Sequence, residues 1–155
     1  MVRLNSFLWK SFVSIRLTKI FFIFLAFSFQ IYSQSPPITI MFGGDCTFSN
    51  SFSANIKSSE VRKVFENIPW MAQADITMVN LESCISTRGD KLEKEFNFRM
   101  HPKYLPVLKY GGIDIVTLAN NHIVDYGLIG MKDTFYYLDS MGIKYVGAGL
   151  NIDEA

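Results

Sequence analysis

The sequence predicts an α/β fold on a mostly parallel sheet, and three features lead there. Four short apolar runs rich in β-branched residues alternate with segments of helical periodicity. The runs are nearly continuously apolar, as parallel strands buried on both faces are. Three of them stop at polar residues: Asp45, Glu82 and Asn120-Asn121-His122.

Residues 1–35 read as a targeting segment. Arg3, Lys10, Arg16 and Lys19, with no acidic residue among them, lead into the apolar run Ile20-Phe21-Phe22-Ile23-Phe24-Leu25-Ala26-Phe27. Small and polar residues follow through Ser33-Gln34-Ser35, the layout of a signal peptide, with cleavage expected after Ser33. The run is short of the ~20 residues a membrane span needs; an uncleaved N-terminal anchor is the alternative. No Cys follows the run, so a lipid-anchored terminus is not indicated. The expected location is outside the cytoplasm: periplasm, outer membrane face or cell envelope. Membrane association would come through this segment.

All fourteen acidic residues lie after position 35, against eleven of the fifteen basic ones, so the remainder carries a net charge of −3. A mildly acidic chain without a basic face argues against nucleic acid as a partner. At 155 residues there is length for one domain with a real core. Cys46 and Cys84 are the only cysteines. Export permits a disulfide between them, and two small semi-buried thiols fit as well.

After Pro36-Pro37, Ile38-Thr39-Ile40-Met41-Phe42 is the first strand, opening at Gly43-Gly44-Asp45 into a tight loop. Val61, Val64, Phe65, Ile68 and Met71 recur at helical spacing, with Ser58 or Ser59 as cap. Ile76-Thr77-Met78-Val79-Asn80-Leu81 is the second strand, delivering Glu82. Residues 83–99 read as a charged loop with a turn at Arg88-Gly89-Asp90 and an extended piece at Phe96-Asn97-Phe98-Arg99. Pro102 begins a brief helix that Gly111-Gly112 stops. A third strand over residues 113–119 leads into Asn120-Asn121-His122. Leu128, Met131, Phe135, Leu138 and Met141 mark another helix, and Lys144-Tyr145-Val146 a fourth strand. Residues 151–155 look like a further helix start, so the chain is expected to be the N-terminal part of a longer domain.

This βαβαβαβ order places the strands' carboxyl ends on one rim, where open parallel sheets bind ligands. Two carboxylates, an amide oxygen and an imidazole there suit a divalent cation such as Mn²⁺, Zn²⁺ or Fe²⁺. His122 can alternatively act as a general acid. The bland readings stand beside these: Asp45 as a turn residue, Glu82 as an exposed strand-end carboxylate, Asn120-Asn121 as turn formers, Asp125-Tyr126-Gly127 as a helix-start turn.

Gly44-Asp45, Val79-Asn80-Leu81-Glu82, Phe96-Asn97-Phe98-Arg99, Leu118-Ala119-Asn120-Asn121-His122 with Asp125-Tyr126-Gly127, and Tyr145-Val146-Gly147-Ala148-Gly149 occur in an order and spacing that resemble the CapA family of poly-γ-glutamate capsule biosynthesis proteins. The resemblance covers residues 38–155 and divides the chain into the leader, 1–35, and a CapA-like domain, 36–155. That family is similar to the calcineurin-like metallophosphoesterases, which implies an αββα architecture, here its N-terminal βαβαβαβ half. It implies metal binding by Asp45, Glu82 and Asn121, and a catalytic role in phosphoester cleavage for His122. Two positions depart from the phosphoesterase pattern. Thr47 stands where the first motif has its His, and Leu81-Glu82 replaces the second motif's Gly-Asp. The later histidines of a complete centre would lie beyond Ala155.

The function these features imply is synthesis or export of an anionic capsule polymer at the cell envelope, with the polymer or its biosynthetic membrane complex as partner. The alternatives are a metal-dependent hydrolase of phosphoesters or amide-linked polymer, and a non-catalytic binding or assembly module.

Overall fold

Six strands and three α-helices build the part of the chain that the computed structural model describes, residues 35–155. Apart from Ser35, the leader lies outside the described residues. The strands are β1 (Ile40–Cys46), β2 (Ile76–Leu81), β3 (Cys84–Ile85), β4 (Arg99–Met100), β5 (Ile115–Thr117) and β6 (Lys144–Val146). The helices are α1 (Asn50–Asn55), α2 (Pro106–Tyr110) and α3 (Gly127–Ser140). The main sheet runs β1-β2-β5-β6, every pair parallel, and β3-β4 form a small parallel pair of their own. The α/β fold with a parallel sheet is thus as the sequence predicts, and it is consistent with part of a metallophosphoesterase-like architecture.

The main sheet is crossed in one direction, from β1 to β6, so right-handed crossovers stack every connection on the same face. Burial follows that geometry. In β2, Thr77, Val79 and Leu81 are buried while Ile76, Met78 and Asn80 are only half-buried. Val79, Leu81, Val116 and Leu118 join Leu108, Ile113, Leu138 and Ile143 in one core, each at most 1% exposed. On the opposite face Ile40, Phe42 and Val146 are exposed, Phe42 by 74%. The expectation of strands covered on both faces is therefore corrected for the described residues: only one face carries helices.

β2 and β6 match the sequence reading, and α3 covers most of its predicted stripe. Elsewhere there are corrections. The segment predicted as one helix from residue 59 is two 3₁₀ stretches, Ser58–Phe65 and Pro69–Gln73. Pro69 is the reason for the break: it pushes Ile68 out of the helical region, to φ −132° and ψ 50°. Val61, Phe65 and Met71 are still buried. The capping position belongs to Lys57, with no side-chain bond, and not to Ser58 or Ser59. α1 was not foreseen, and the helix expected after residue 150 is a turn. Residues 83–99 contain β3 and lead directly into β4.

The end of β1 is the correction with most consequence. Asp45 does not lie in a loop. β1 continues through Cys46, and between Phe42 and Asp45 its register with β2 shifts. Phe42 lies opposite Met78 and Asp45 opposite Asn80, so Gly43 and Gly44 together face Val79, a β-bulge. In unbroken register, without the bulge, Asp45 would lie opposite Leu81, on the core-facing side; the bulge moves it to the open side beside Asn80. Gly43 permits this, because a Cβ there would come within 2.9 Å of Val79 Cγ1.

Both cysteines are free thiols, the second of the two alternatives the sequence left open. Burial, reinforced by the charge of Asp125, pushes the Cys84 thiol up to about 12, and burial also raises Cys46.

Candidate functional site

Three strand ends are tied together by side-chain amides. Asn80 Nδ2 donates to Asp45 Oδ1 at 2.7 Å, and Asn80 Oδ1 accepts from Asn120 Nδ2 at 3.0 Å. Asn120 Nδ2 also donates to the Leu81 carbonyl at 2.9 Å, while its Oδ1 accepts the His122 N–H at 2.9 Å. Asn80 and Asn120 each donate and accept at once, which only an amide does here; a carboxylate in either place would break the chain. The turn following β5 is thereby locked to β1 and β2.

His122 is buried and held on every side. Its Nδ1 lies 2.7 Å from Asp125 Oδ2, and its Nε2 3.2 Å from Asn121 Nδ2. An amide nitrogen only donates, so Nε2 carries the lone pair and Nδ1–H donates to Asp125. The Phe98 ring stacks on the imidazole, centroids 4.2 Å apart. Asp125 has no solvent exposure. Its Oδ2 also accepts the Phe98 N–H at 2.7 Å, and its Oδ1 pairs with the Lys94 ammonium. Lys94 donates further to the Asn121 carbonyl at 2.8 Å. A buried carboxylate with one cation and two N–H donors is well compensated.

The Phe96-Asn97-Phe98-Arg99 motif now has physical content. Asn97 Nδ2 donates to the carbonyls of Leu92 and Lys94, shaping the turn that brings Lys94 to Asp125. Phe98 covers His122, and the Arg99 guanidinium lies over the Tyr126 ring at 3.9 Å. Gly89 lets the preceding turn pack against Tyr126: its φ is +82°, and a Cβ there would fall 2.1 Å from the Tyr126 carbonyl oxygen.

The two departures from the phosphoesterase pattern prove to be partners. Thr47 Oγ1 donates to Glu82 Oε2 at 2.8 Å, and the Glu82 N–H bonds the Cys46 carbonyl at 3.1 Å. Asp45, Glu82, Asn121 and His122 thus all fall at the carboxyl-end rim. The hydrogen bonds link Asp45, through Asn80 and Asn120, to the His122–Asn121 pair; Glu82 is bonded to Thr47 instead. Asp125 is the residue the sequence reading passed over as a turn former. Its spacing of three from His122 within one turn was the available signal.

Among the described residues, Asp45 and Glu82 each keep one carboxylate oxygen without a donor, and Asn121 keeps its Oδ1. In kind these oxygens suit a hard or borderline divalent cation. They do not make a closed centre: among the described residues no three His, Cys, Asp or Glu side chains gather closely enough to hold an ion.

A one-directional parallel sheet with its polar residues at the strand ends defines an α/β protein of the strand-end-site class. Within it, a family model described as bacterial capsule synthesis protein PGA_cap matches residues 39–155, and the chain belongs to that family. A probable polyglutamine synthesis accessory protein of Mycobacterium tuberculosis is 37% identical over 94 residues, 60% of this chain and 24% of the relative. The capsule biosynthesis protein CapA of Bacillus anthracis is 24% identical over 128 residues, 79% of this chain and 31% of the relative. The PGA biosynthesis protein CapA of Bacillus subtilis is 23% identical over 154 residues, 92% and 40% respectively. The chain thus spans less than half the length of these relatives.

Proposed function

We propose that this protein works in the synthesis or export of an anionic capsule polymer of the poly-γ-glutamate type, at the cell envelope. The observation that carries the reading is the capsule synthesis family match over residues 39–155, which includes every rim residue described above. The basic and apolar leader at residues 1–35 supports action outside the cytoplasm, on the membrane's outer face or in the periplasm. Among the described residues no helix is long and apolar enough to cross a membrane. Deleting the gene in an organism shown to make such a polymer is expected to abolish or sharply reduce the surface polymer. An unchanged amount would overturn the reading.

A second reading, a hydrolase of phosphoesters or amide-linked polymer, is favoured by the His122–Asp125 pair. A carboxylate on Nδ1 fixes the tautomer and leaves Nε2 as the exchanging atom. To serve as a general acid His122 would first take a proton from a water onto the Nε2 lone pair and then hand it to a leaving group, with Asn121 orienting the ring edge and Phe98 restricting water on one face. Asp45, Glu82 and Asn121 would supply the oxygens for a divalent Mn, Zn or Fe ion. When bound, such an ion would polarise a phosphoryl or carbonyl oxygen. Hydrolysis and metal content would be compared among the wild type, Asp45→Ala and His122→Ala. Equal metal and equal rates in all three would sink it, and would favour a non-catalytic assembly module.

A further inference from the structure

Away from the rim, the carboxyl ends of the small β3-β4 pair open into a cavity of about 330 Å³. This is the small end of the range that ligand sites occupy. Ser86 and Thr87 follow β3 into it, Arg99 and His101 come from β4 and the residue after it, and Lys103 and Tyr104 close it. The position obeys the same strand-end rule as the rim. A second cavity, of about 430 Å³, shares Ser53, Lys103 and Tyr104 with the first and extends past Lys57 and Asn55. The two therefore adjoin at these residues and form a track lined by cations from Arg99 past Lys103 to Lys57.

The track's charge is opposite to that of the molecule around it. Among the described residues no carboxylate pairs with Arg99, Lys103 or Lys57. The acids nearest to hand are already engaged: Glu60, on the second cavity, binds Lys63 at 3.1 Å, and Asp133, bonded to Ser86, pairs with Arg88. Arg99 lies over the Tyr126 ring, and its hydrogen bonds among the described residues go to the carbonyls of Arg88 and Gly89, at 3.5 Å each. His101 Nδ1 accepts the Lys103 N–H at 3.1 Å, so the proton of its neutral ring sits on Nε2 and that atom can donate. In a domain with net charge −3, guanidinium, ammonium and imidazole donors are gathered along these cavities, and among the described residues the one carboxylate lining them, Glu60, is paired with Lys63 and not with them.

We propose that this track binds an extended carboxylate-bearing chain, a glutamate polymer, with Arg99 and Lys103 taking successive carboxylates. Two joined cavities with cations spaced along them suit a chain better than a single small anion. Carboxylates suit a guanidinium fork and an ammonium, whereas the side-chain amides of a glutamine polymer leave both charges unmatched. That the polymer is glutamate rests on the function proposed above; the cationic track does not.

The test is calorimetric titration of the full chain with a short γ-linked glutamate oligomer, a glutamine oligomer of the same length and polyphosphate. Arg99→Gln and Lys103→Gln are each expected to weaken glutamate binding about tenfold, the worth of one charge-assisted hydrogen bond. Lys132→Gln, an exposed lysine that lines neither cavity, is expected to leave it unchanged. The glutamine oligomer is expected to bind at least tenfold more weakly, and added salt to weaken the glutamate oligomer. Lys103 is exposed, so Lys103→Gln keeps the test valid if Arg99→Gln, which loses its contact with Tyr126, misfolds. Equal binding of the two oligomers, tighter binding of polyphosphate, or no glutamate binding at all would overturn the assignment. Glutamate binding that survives Lys103→Gln would overturn this site while leaving the capsule reading, judged by gene deletion, standing.

Discussion

Asp125 shows how much one buried carboxylate organises. It holds the His122 ring, the Phe98 N–H and the Lys94 ammonium together, so it joins the loop before β4 to the turn after β5. Asp125→Ala is expected to destabilise the fold by about 3 kcal/mol, because it strands a buried donor and a half-covered cation. Urea denaturation measures this, and a change under about 0.5 kcal/mol, the usual size for a surface substitution, would contradict the arrangement. Cys84 gives a second prediction at this scale. With its thiol pushed up to about 12 by burial, it stays protonated at neutral pH and should react slowly with a disulfide reagent in the native state. In denaturant both thiols should react; a count of zero would mean a disulfide.

Among the elements, α3 is tied to β3 and to the turn after it by polar contacts of two kinds. The Ile85 N–H donates to Thr134 Oγ1 at 2.8 Å, and that hydroxyl donates to the Gly130 carbonyl at 2.8 Å, all buried. Thr134→Val keeps the shape and removes the acceptor, so a loss of about 1–3 kcal/mol is expected, readable in a thermal or denaturant melt. Nearby, Asp133 takes a bidentate bond from Arg88 and one from Ser86 at 2.6 Å. The Arg88 guanidinium, and then Ser86, hold its carboxyl below the usual aspartate range. A carboxyl lowered by folding contributes stability above its unfolded value and loses it as pH falls through the folded one. Stability should therefore decline below about pH 4, where an ordinary aspartate begins to protonate, and Asp133→Asn should flatten that limb. An unaltered acid profile would count against the pair.

The legibility of the fold in the sequence divides along the same lines. β2 could be read to the residue because its six positions, apolar or β-branched except for Asn80, end at a charge, and β6 because Gly142 and Gly147 bracket it. The bulge at Gly43-Gly44 could not. Two glycines before an Asp signal a turn as readily as a bulge, and only the register against Val79 decides between them. β3 was invisible, and β4 was met only at Arg99, the end of the extended piece, because two-residue strands have no periodicity. The rim residues were identified from their position after strands and from resemblance. Their bonds were not, since those depend on how four separate segments meet.

For the whole molecule, a sheet crossed in one direction leaves Ile40, Phe42 and Val146 exposed on the face away from the helices. That apolar face is where the second sheet of an αββα architecture would pack. The rim lies at the carboxyl end of the same sheet, and the hydrolase reading proposed above would give Asp45 and His122 working roles there rather than leave them as turn formers. The measurement that tests this most directly is surface polymer in a gene-deletion strain complemented with wild-type, Asp45→Ala or His122→Ala protein at matched levels. The account predicts that the wild type restores the polymer and that both variants fail by at least tenfold, the scale of losing a positioned catalytic or ligating group. Full restoration by both variants would contradict it.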